Sequence, residues 1–229
     1  MNRLVLAATL LAAFCLPAAA QYSAPPNTGN AFKDTSMLKP PAGAKVAIYK
    51  FEDLECPACA HAYPIVHDAA NRYKIPIVRH DFPLKMHIWS LDAAITARYL
   101  QDKVSPQVAE EFRGAVFASQ SSIASKEDLA NFTRRFFQSH KLNQPFVIDP
   151  AGLFAAEVSA DYTLGERIGI SQTPTIWVVS QKNWVQVTDV SQLYSTIDNL
   201  QAQVAASTPG KTASTAANSK MRHASTPQK

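Results

Sequence analysis

Cysteine and glycine are both scarce in this sequence, with 3 Cys and 7 Gly among 229 residues. So few glycines exclude a collagen-like repeat, and no glycine-rich loop is available to cradle a nucleotide phosphate. Three cysteines exclude a disulfide-dense mini-scaffold. Charged residues make up only 17% against 47% hydrophobic, which excludes disorder throughout the chain. No Ser-His-Asp arrangement stands out. An excess of basic charge is also missing where it would matter. The net charge of +4 comes from Arg3 near the start and from Lys211, Lys220, Arg222 and Lys229 at the end. Residues 21–206 hold 17 Lys and Arg against 18 Asp and Glu. The centre of the chain is therefore near neutral, and nucleic acid is not expected as a partner.

What is present begins with the ends. Residues 1–20 run from Met1-Asn2-Arg3 through the apolar stretch Leu4 to Leu16 and close on Pro17-Ala18-Ala19-Ala20. A basic start, a short apolar run and small closing residues form the pattern of a cleavable signal peptide. The run falls short of the roughly 20 residues that span a bilayer. Export to the periplasm is the expectation. Residues 21–43 are rich in Pro, Ala, Asn, Ser and Gly without a period and read as an extended leader. Residues 207–229 are Ser, Thr, Ala and Lys with Pro209, Gly210 and Pro227, a composition that reads as a disordered basic tail.

After signal removal two cysteines remain, in Cys56-Pro57-Ala58-Cys59. A bridge between them would close a very short loop, and the stabilisation from loop closure shrinks with loop length, so a structural staple is a poor reason for the pair. One Cys-x-x-Cys also supplies only two of the four ligands of a closed zinc site, and His61, His67, His80 and His87 show no ligand spacing. A redox pair fits better, with a soft-metal clamp as the alternative. Val46 to Phe51 reads as a buried strand and Pro57 to Tyr73 as a helix with proline tolerated in its first turn. Cys56 then sits at a helix N-terminus, where free N–H groups and the helix dipole favour a thiolate. Cys59 lies one turn further in.

The stretch Phe51-Glu52-Asp53-Leu54-Glu55-Cys56-Pro57-Ala58-Cys59, with Pro64 after it, resembles thioredoxin-like proteins of the DsbA type. Gly169-Ile170-Ser171-Gln172-Thr173-Pro174-Thr175 is similar to the family's cis-proline loop leading into a central strand. Cys59 and Pro174 stand 115 positions apart, more than a minimal thioredoxin fold uses. Helical periodicity fills the interval, over Ile88 to Lys103, Pro106 to Gln120 after Ser105, Lys126 to His140 after Ser125, and Ala151 to Ile168. A second strand is expected over Ile75 to Phe82. The resemblance implies an α/β thioredoxin fold, a central mixed sheet flanked by helices, over residues 44–206 with an inserted helical subdomain over about 86–168.

The resemblance also implies a thiol:disulfide oxidoreductase that exchanges disulfides with exported proteins. A dithiol oxidase is expected first, with a reductase or isomerase as alternatives. Cys56 is the implied nucleophile and Cys59 the resolving thiol. Pro57, Ala58, Thr173 and Pro174 would complete the motif and meet the substrate. No cofactor is implied beyond the Cys56–Cys59 disulfide itself. Partners would be reduced or unfolded exported proteins and a membrane redox partner, with the protein a monomer.

Two departures stand out. Relatives commonly carry a buried acid six residues before the first cysteine, and this chain has Lys50 there. Lys50 is expected at a sheet edge with its ammonium in water. In the other arrangement its charge lies under the disulfide, and Glu52 or Asp53 serves in proton transfer. Ala58 brings no charge between the cysteines, which implies a less oxidising poise than relatives with histidine there. His87 and Trp89 border the implied active face, His87 as a surface or capping residue. Phe146 and Trp184 are expected in the core or in strands.

Overall fold

The computed structural model describes residues 32–207. The expected signal peptide, the first part of the leader and the tail from 208 onward lie outside the described residues. Ten main elements follow in order: β1 Val46–Glu52, α1 Pro57–Tyr73, β2 Ile77–Asp81, α2 Ser90–Lys103, α3 Pro106–Ser119, α4 Lys126–Ser139, α5 Leu153–Ile168, β3 Thr175–Ser180, β4 Trp184–Val187 and α6 Leu193–Ala206.

The strands form one mixed sheet in the order β2-β1-β3-β4. β1 runs parallel to β2 and antiparallel to β3, and β3 is antiparallel to β4. Parallel β1 and β2 need a crossover, and α1 supplies it. Every residue of β1 is buried, as a central strand covered on both faces requires. On one face Val46 and Ile48 pack with Val66 and Ala69 of α1 and with Leu193, Ile197 and Leu200 of α6. On the other, Ala47, Tyr49 and Phe51 meet Phe82, Ile168 and Trp177. A third cluster joins Leu54, Cys56 and Cys59 to Trp89, Phe112, Phe132 and Phe137 of the helices that follow β2. The core of those helices thus ends at the cysteine pair.

Sequence and structure part company at identifiable places. β2 starts at Ile77 rather than Ile75, because Lys74 takes the left-handed conformation that ends α1 and Pro76 precedes the strand. α2 starts at Ser90, not Ile88, because the Glu55 carboxylate accepts the N–H groups of Trp89 and Ser90 and caps the helix from outside. Residues 32–43 are not a bare leader. Phe32 sets its ring edge-on to Trp177 at 5.1 Å, Leu38 is buried, and the Lys39 carbonyl accepts the Tyr49 hydroxyl. Phe146, expected in the core or in a strand, is fully exposed in the connection between α4 and α5. Trp184 does begin a strand, β4. The hydroxyls of Ser105 and Ser125 cap α3 and α4 by accepting the N–H of Val108 and Asp128.

One glycine in α5 matters for the packing beneath the site. A Cβ on Gly165 would stand 2.5 Å from the ring of Phe82, a buried side chain stacked on Tyr162. Alanine in a helix gains about 1 kcal/mol over glycine. Overpacking costs about 1–3 kcal/mol where the neighbour cannot move away. Gly165→Ala is therefore expected to lower stability, read as a reduced urea midpoint. An unchanged or raised midpoint would show that Phe82 has room to shift.

Candidate active site

β1 delivers the chain into the loop Asp53-Leu54-Glu55, and Cys56 caps the N-terminus of α1 with an extended backbone and Pro57 next to it. Both cysteines are free thiols, 6% exposed at Cys56 and 2% at Cys59. The loop is held almost entirely by side chains. The Asp53 carboxylate accepts the N–H of Glu55 and the Ser90 hydroxyl on one oxygen. Its other oxygen takes the N–H of Leu84 at 2.6 Å and meets His87 Nδ1 at 2.7 Å. With four partners, this buried carboxylate is fully satisfied. From the end of α3, the Gln120 amide donates to the carbonyls of Leu54 at 2.7 Å and Cys56 at 3.1 Å. His87, expected at the surface or as a cap, is instead a clamp on Asp53.

The two sulfurs sit in opposed environments. The Cys56 thiolate accepts a hydrogen bond from the Cys59 thiol, which does most to stabilise it. Burial opposes this, while Thr173 and the N–H groups of Cys59 and Ala58 reinforce it. The balance lowers the Cys56 pKa from 9.0 to about 6. Burial pushes the Cys59 thiol well up, and its bond to Cys56 and the negative charges of Cys56 and Glu52 add to the rise. The N–H of Asp53 approaches Cys59 Sγ at 3.4 Å and acts the other way. Iodoacetamide should therefore modify Cys56 alone in the reduced protein, with a rate that rises through a midpoint near pH 6. A midpoint near 9 would contradict this picture.

Across from the pair, the Thr173–Pro174 peptide bond is cis, and the Cys56 thiol donates to the Thr173 carbonyl at 3.3 Å. Pro57 is exposed and Ala58 half-buried beside the sulfurs, and Ala58 contributes no charge.

Lys50 requires a correction. It is 2% exposed, and its ammonium lies 2.6 Å from Glu52 and 5.3 Å from the centre of the Tyr63 ring. The expected edge position fails because β1 has β2 on one side and β3 on the other, so no stem leads from Lys50 to water. Its side chain lines a small cavity with Glu52, Cys59, Tyr63 and Pro174. Behind it, Glu52 meets Arg79 at 2.6 Å and Arg113 at 3.5 Å. Arg79 reaches on to Glu110, which also receives the Tyr63 hydroxyl and contacts His67. Burial lowers the Lys50 pKa, and Glu52 counters only part of that. For Glu52 burial acts upward, but Lys50, Arg79 and Arg113 together hold its carboxyl below the usual range.

Lys50, Glu52, Cys56, Cys59, Thr173 and Pro174 thus converge, while Asp53 serves the loop. Glu55, Tyr63, Arg79, Glu110 and Gln120 were not singled out from sequence. Their signal would have been the partner each one meets, which lies 27 to 66 positions away in the chain. Among the described residues, no group of three or more His, Cys, Asp or Glu converges as a metal centre would.

A family model described as Thioredoxin matches residues 35–199. No curated protein sequence matches the chain. Among solved structures, the thiol-disulfide exchange protein alpha-DsbA2 from Wolbachia pipientis is similar at 18% identity, covering 71% of this chain and 85% of that one, with a TM-score of 0.56. ScsC from Proteus mirabilis, in a transitional conformation, is similar at 15% identity, covering 72% and 71% of the two chains, with a TM-score of 0.56. A periplasmic thioredoxin-like protein from Salmonella enterica serovar Typhimurium is similar at 14% identity, covering 71% and 88%, with a TM-score of 0.55.

Proposed function

The chain belongs to the thioredoxin family, and from that premise we propose that it is a periplasmic thiol:disulfide oxidoreductase that oxidises exported proteins through Cys56 and Cys59. The observation that carries this reading is the contrast between the two sulfurs. Cys56 is poised as a thiolate near neutral pH, and Cys59 is buried as a thiol behind it. A stabilised thiolate stabilises the reduced protein and so makes the disulfide a stronger oxidant. Thiolate pKa values in this chemistry span about 3.5 to 7. A value of about 6 puts Cys56 toward the less oxidising end, in keeping with the uncharged Ala58.

In the forward direction, a substrate thiolate attacks Cys56 Sγ of the disulfide, forming a mixed disulfide as the Cys56–Cys59 bond breaks. A second substrate thiolate then attacks the substrate sulfur of the mixed disulfide, and Cys56 leaves as a thiolate. Two electrons pass from the substrate pair to Cys56 and Cys59. A membrane redox partner takes them up and restores the disulfide. The Thr173 carbonyl, the acceptor of the protonated Cys56 thiol at 3.3 Å, pairs with the backbone of an extended substrate once Cys56 is in the disulfide. Similarity to a thiol-disulfide exchange protein and to a periplasmic thioredoxin-like protein supports both the chemistry and the location.

Oxidative refolding of a reduced, unfolded substrate tests the reading, with the redox potential measured against glutathione. Thiol oxidation dependent on the disulfide form is expected. A protein that oxidises no thiols would overturn it, and one that equilibrates at a strongly reducing potential would redirect it to a reductase.

A further inference from the structure

Cys56 is presented by a tight turn. Its N–H donates to the Asp53 carbonyl at 3.2 Å, which closes that turn over Leu54 and Glu55. A turn of this kind supplies no backbone partner for the groups inside it, the Glu55 N–H and the Leu54 carbonyl. Side chains close both. The Asp53 carboxylate takes the Glu55 N–H at 2.7 Å, and the Gln120 amide donates to the Leu54 carbonyl at 2.7 Å. The same Gln120 nitrogen reaches the Cys56 carbonyl at 3.1 Å, beside the Ala60 N–H that makes the first bond of α1 to that oxygen, also at 3.1 Å. Both lone pairs of the Cys56 carbonyl are then used.

Gln120 stands at the C-terminal end of α3, one turn beyond Val116 and Phe117, which pack in the cluster that holds Leu54, Cys56 and Cys59. The chain just after it is pinned by Trp89, whose indole N–H donates to the Ile123 carbonyl at 3.1 Å. The charged groups around the loop are engaged elsewhere. Asp53 and Glu55 turn their carboxylates to residues 84–90, while Lys50 and Glu52 line the small cavity with Cys59. Gln120 thus ties the backbone of the turn to the helical insert without bringing a charge.

We propose that Gln120 is a positioning residue for Cys56, fixing from the helical insert the turn that aims the first N–H groups of α1 at the attacking sulfur. This role rests on the thiol-disulfide exchange reading and deepens it. The N–H groups of Ala58 and Cys59 help to hold the Cys56 thiolate, and their aim depends on the backbone from Leu54 to Cys56. A thiolate needs that aim more than a neutral thiol does, because hydrogen bonds to a charged group are roughly twice as strong. Gln120 also sets positive amide hydrogens against the Cys56 carbonyl oxygen, a partial negative charge on the same residue as the sulfur. Both effects favour the thiolate.

The test is the pH dependence of iodoacetamide alkylation in the reduced protein. Gln120→Met keeps the length of the side chain and removes its donors. Its midpoint is expected to rise by about one pH unit, the worth of about one hydrogen bond to the thiolate, so that alkylation at about pH 6 slows roughly fivefold. Gln120→Lys restores the donors, and its midpoint is expected at or below the wild-type value. A folded Gln120→Met protein with an unmoved midpoint would overturn the proposal. An equal rise in Gln120→Lys would overturn it too, since the effect would then be one of shape. Should the variants not fold, NMR of the wild type decides. The Gln120 side-chain amide signals should shift with a midpoint of about 6, and that shift should vanish in Cys56→Ser. Amide signals blind to the Cys56 titration overturn the role. A protein whose Cys56 titrates as expected yet exchanges no disulfides would defeat the oxidoreductase reading, whereas an unmoved midpoint in folded Gln120→Met defeats only the role of Gln120.

Discussion

Cys56→Ser is expected to lower disulfide exchange by at least about 10³-fold while leaving the fold intact, because the step that makes the mixed disulfide needs a sulfur at that position. A serine hydroxyl at the N-terminus of α1 remains protonated and forms no mixed disulfide. It is nevertheless a good helix cap, so stability should hold or rise slightly. Cys59 cannot stand in. It is 2% exposed and lies behind Cys56, and its pKa is well above the ordinary range. The check is glutathione exchange together with thermal melting of the variant. Exchange above one hundredth of the wild-type rate, about ten times the expected ceiling, would show that Cys59 can act as the entry thiol, against the burial that assigns it the resolving role.

The second large effect concerns stability. Arg113 of α3 is 1% exposed and holds Asp81 at the end of β2 with two hydrogen bonds, at 2.6 and 3.0 Å, and it also faces Glu52. Removing one partner of such a pair leaves a buried charge short of compensation and costs about 3–5 kcal/mol. Arg113→Leu is expected to destabilise by that amount, which for a domain of this size lowers the melting temperature by about 10 °C. Arg98 also bonds Asp81, so the carboxylate is not wholly orphaned. A loss under about 1 kcal/mol would mean that Arg98 suffices.

Asp81 adds a pH dependence with a definite sign. Burial would raise its pKa, but Arg113 and Arg98 outweigh burial and hold it at about 2, below its ordinary 3.8. A depressed carboxylate stabilises the folded state above the unfolded pKa and loses that contribution as pH falls through the folded one. The wild type should keep this contribution, about 2 kcal/mol, at pH values above about 4 and lose it toward pH 2. In Arg113→Leu the folded-state pKa moves toward the unfolded one, so the contribution should be smaller and its loss complete at a higher pH.

These two effects separate what could be read along the chain from what could not. Cys56 at a helix start, Pro57 beside it and serine caps at Ser105 and Ser125 are local features, fixed by residues within one turn, and the structure has them where the pattern puts them. The two-residue alternation of a strand likewise puts Lys50 of β1 on one face with Val46 and Ile48. What alternation does not reveal is which strands lie alongside. The order β2-β1-β3-β4 turned an expected edge lysine into a buried ion pair beneath Cys59. The same holds for the loop. Asp53 reads as a spare acid until residues more than 30 positions downstream bring Leu84, His87 and Ser90 to its oxygens. Gln120 carries no motif, and its hold on the Cys56 carbonyl exists only because α3 ends beside the pair. Phe32 looked like part of a featureless leader for the same reason, since its partner Trp177 is nearly the whole domain away.

The most direct test of the central claim is trapping. Cys59→Ala, mixed with a reduced, unfolded protein in the presence of a mild oxidant, should accumulate a covalent complex through Cys56, identified by mass spectrometry of the linked peptides. It should dissolve on adding dithiothreitol and be missing with Cys56→Ser. A Cys59→Ala protein that forms no such complex while remaining folded would contradict an exchange mechanism centred on these two sulfurs.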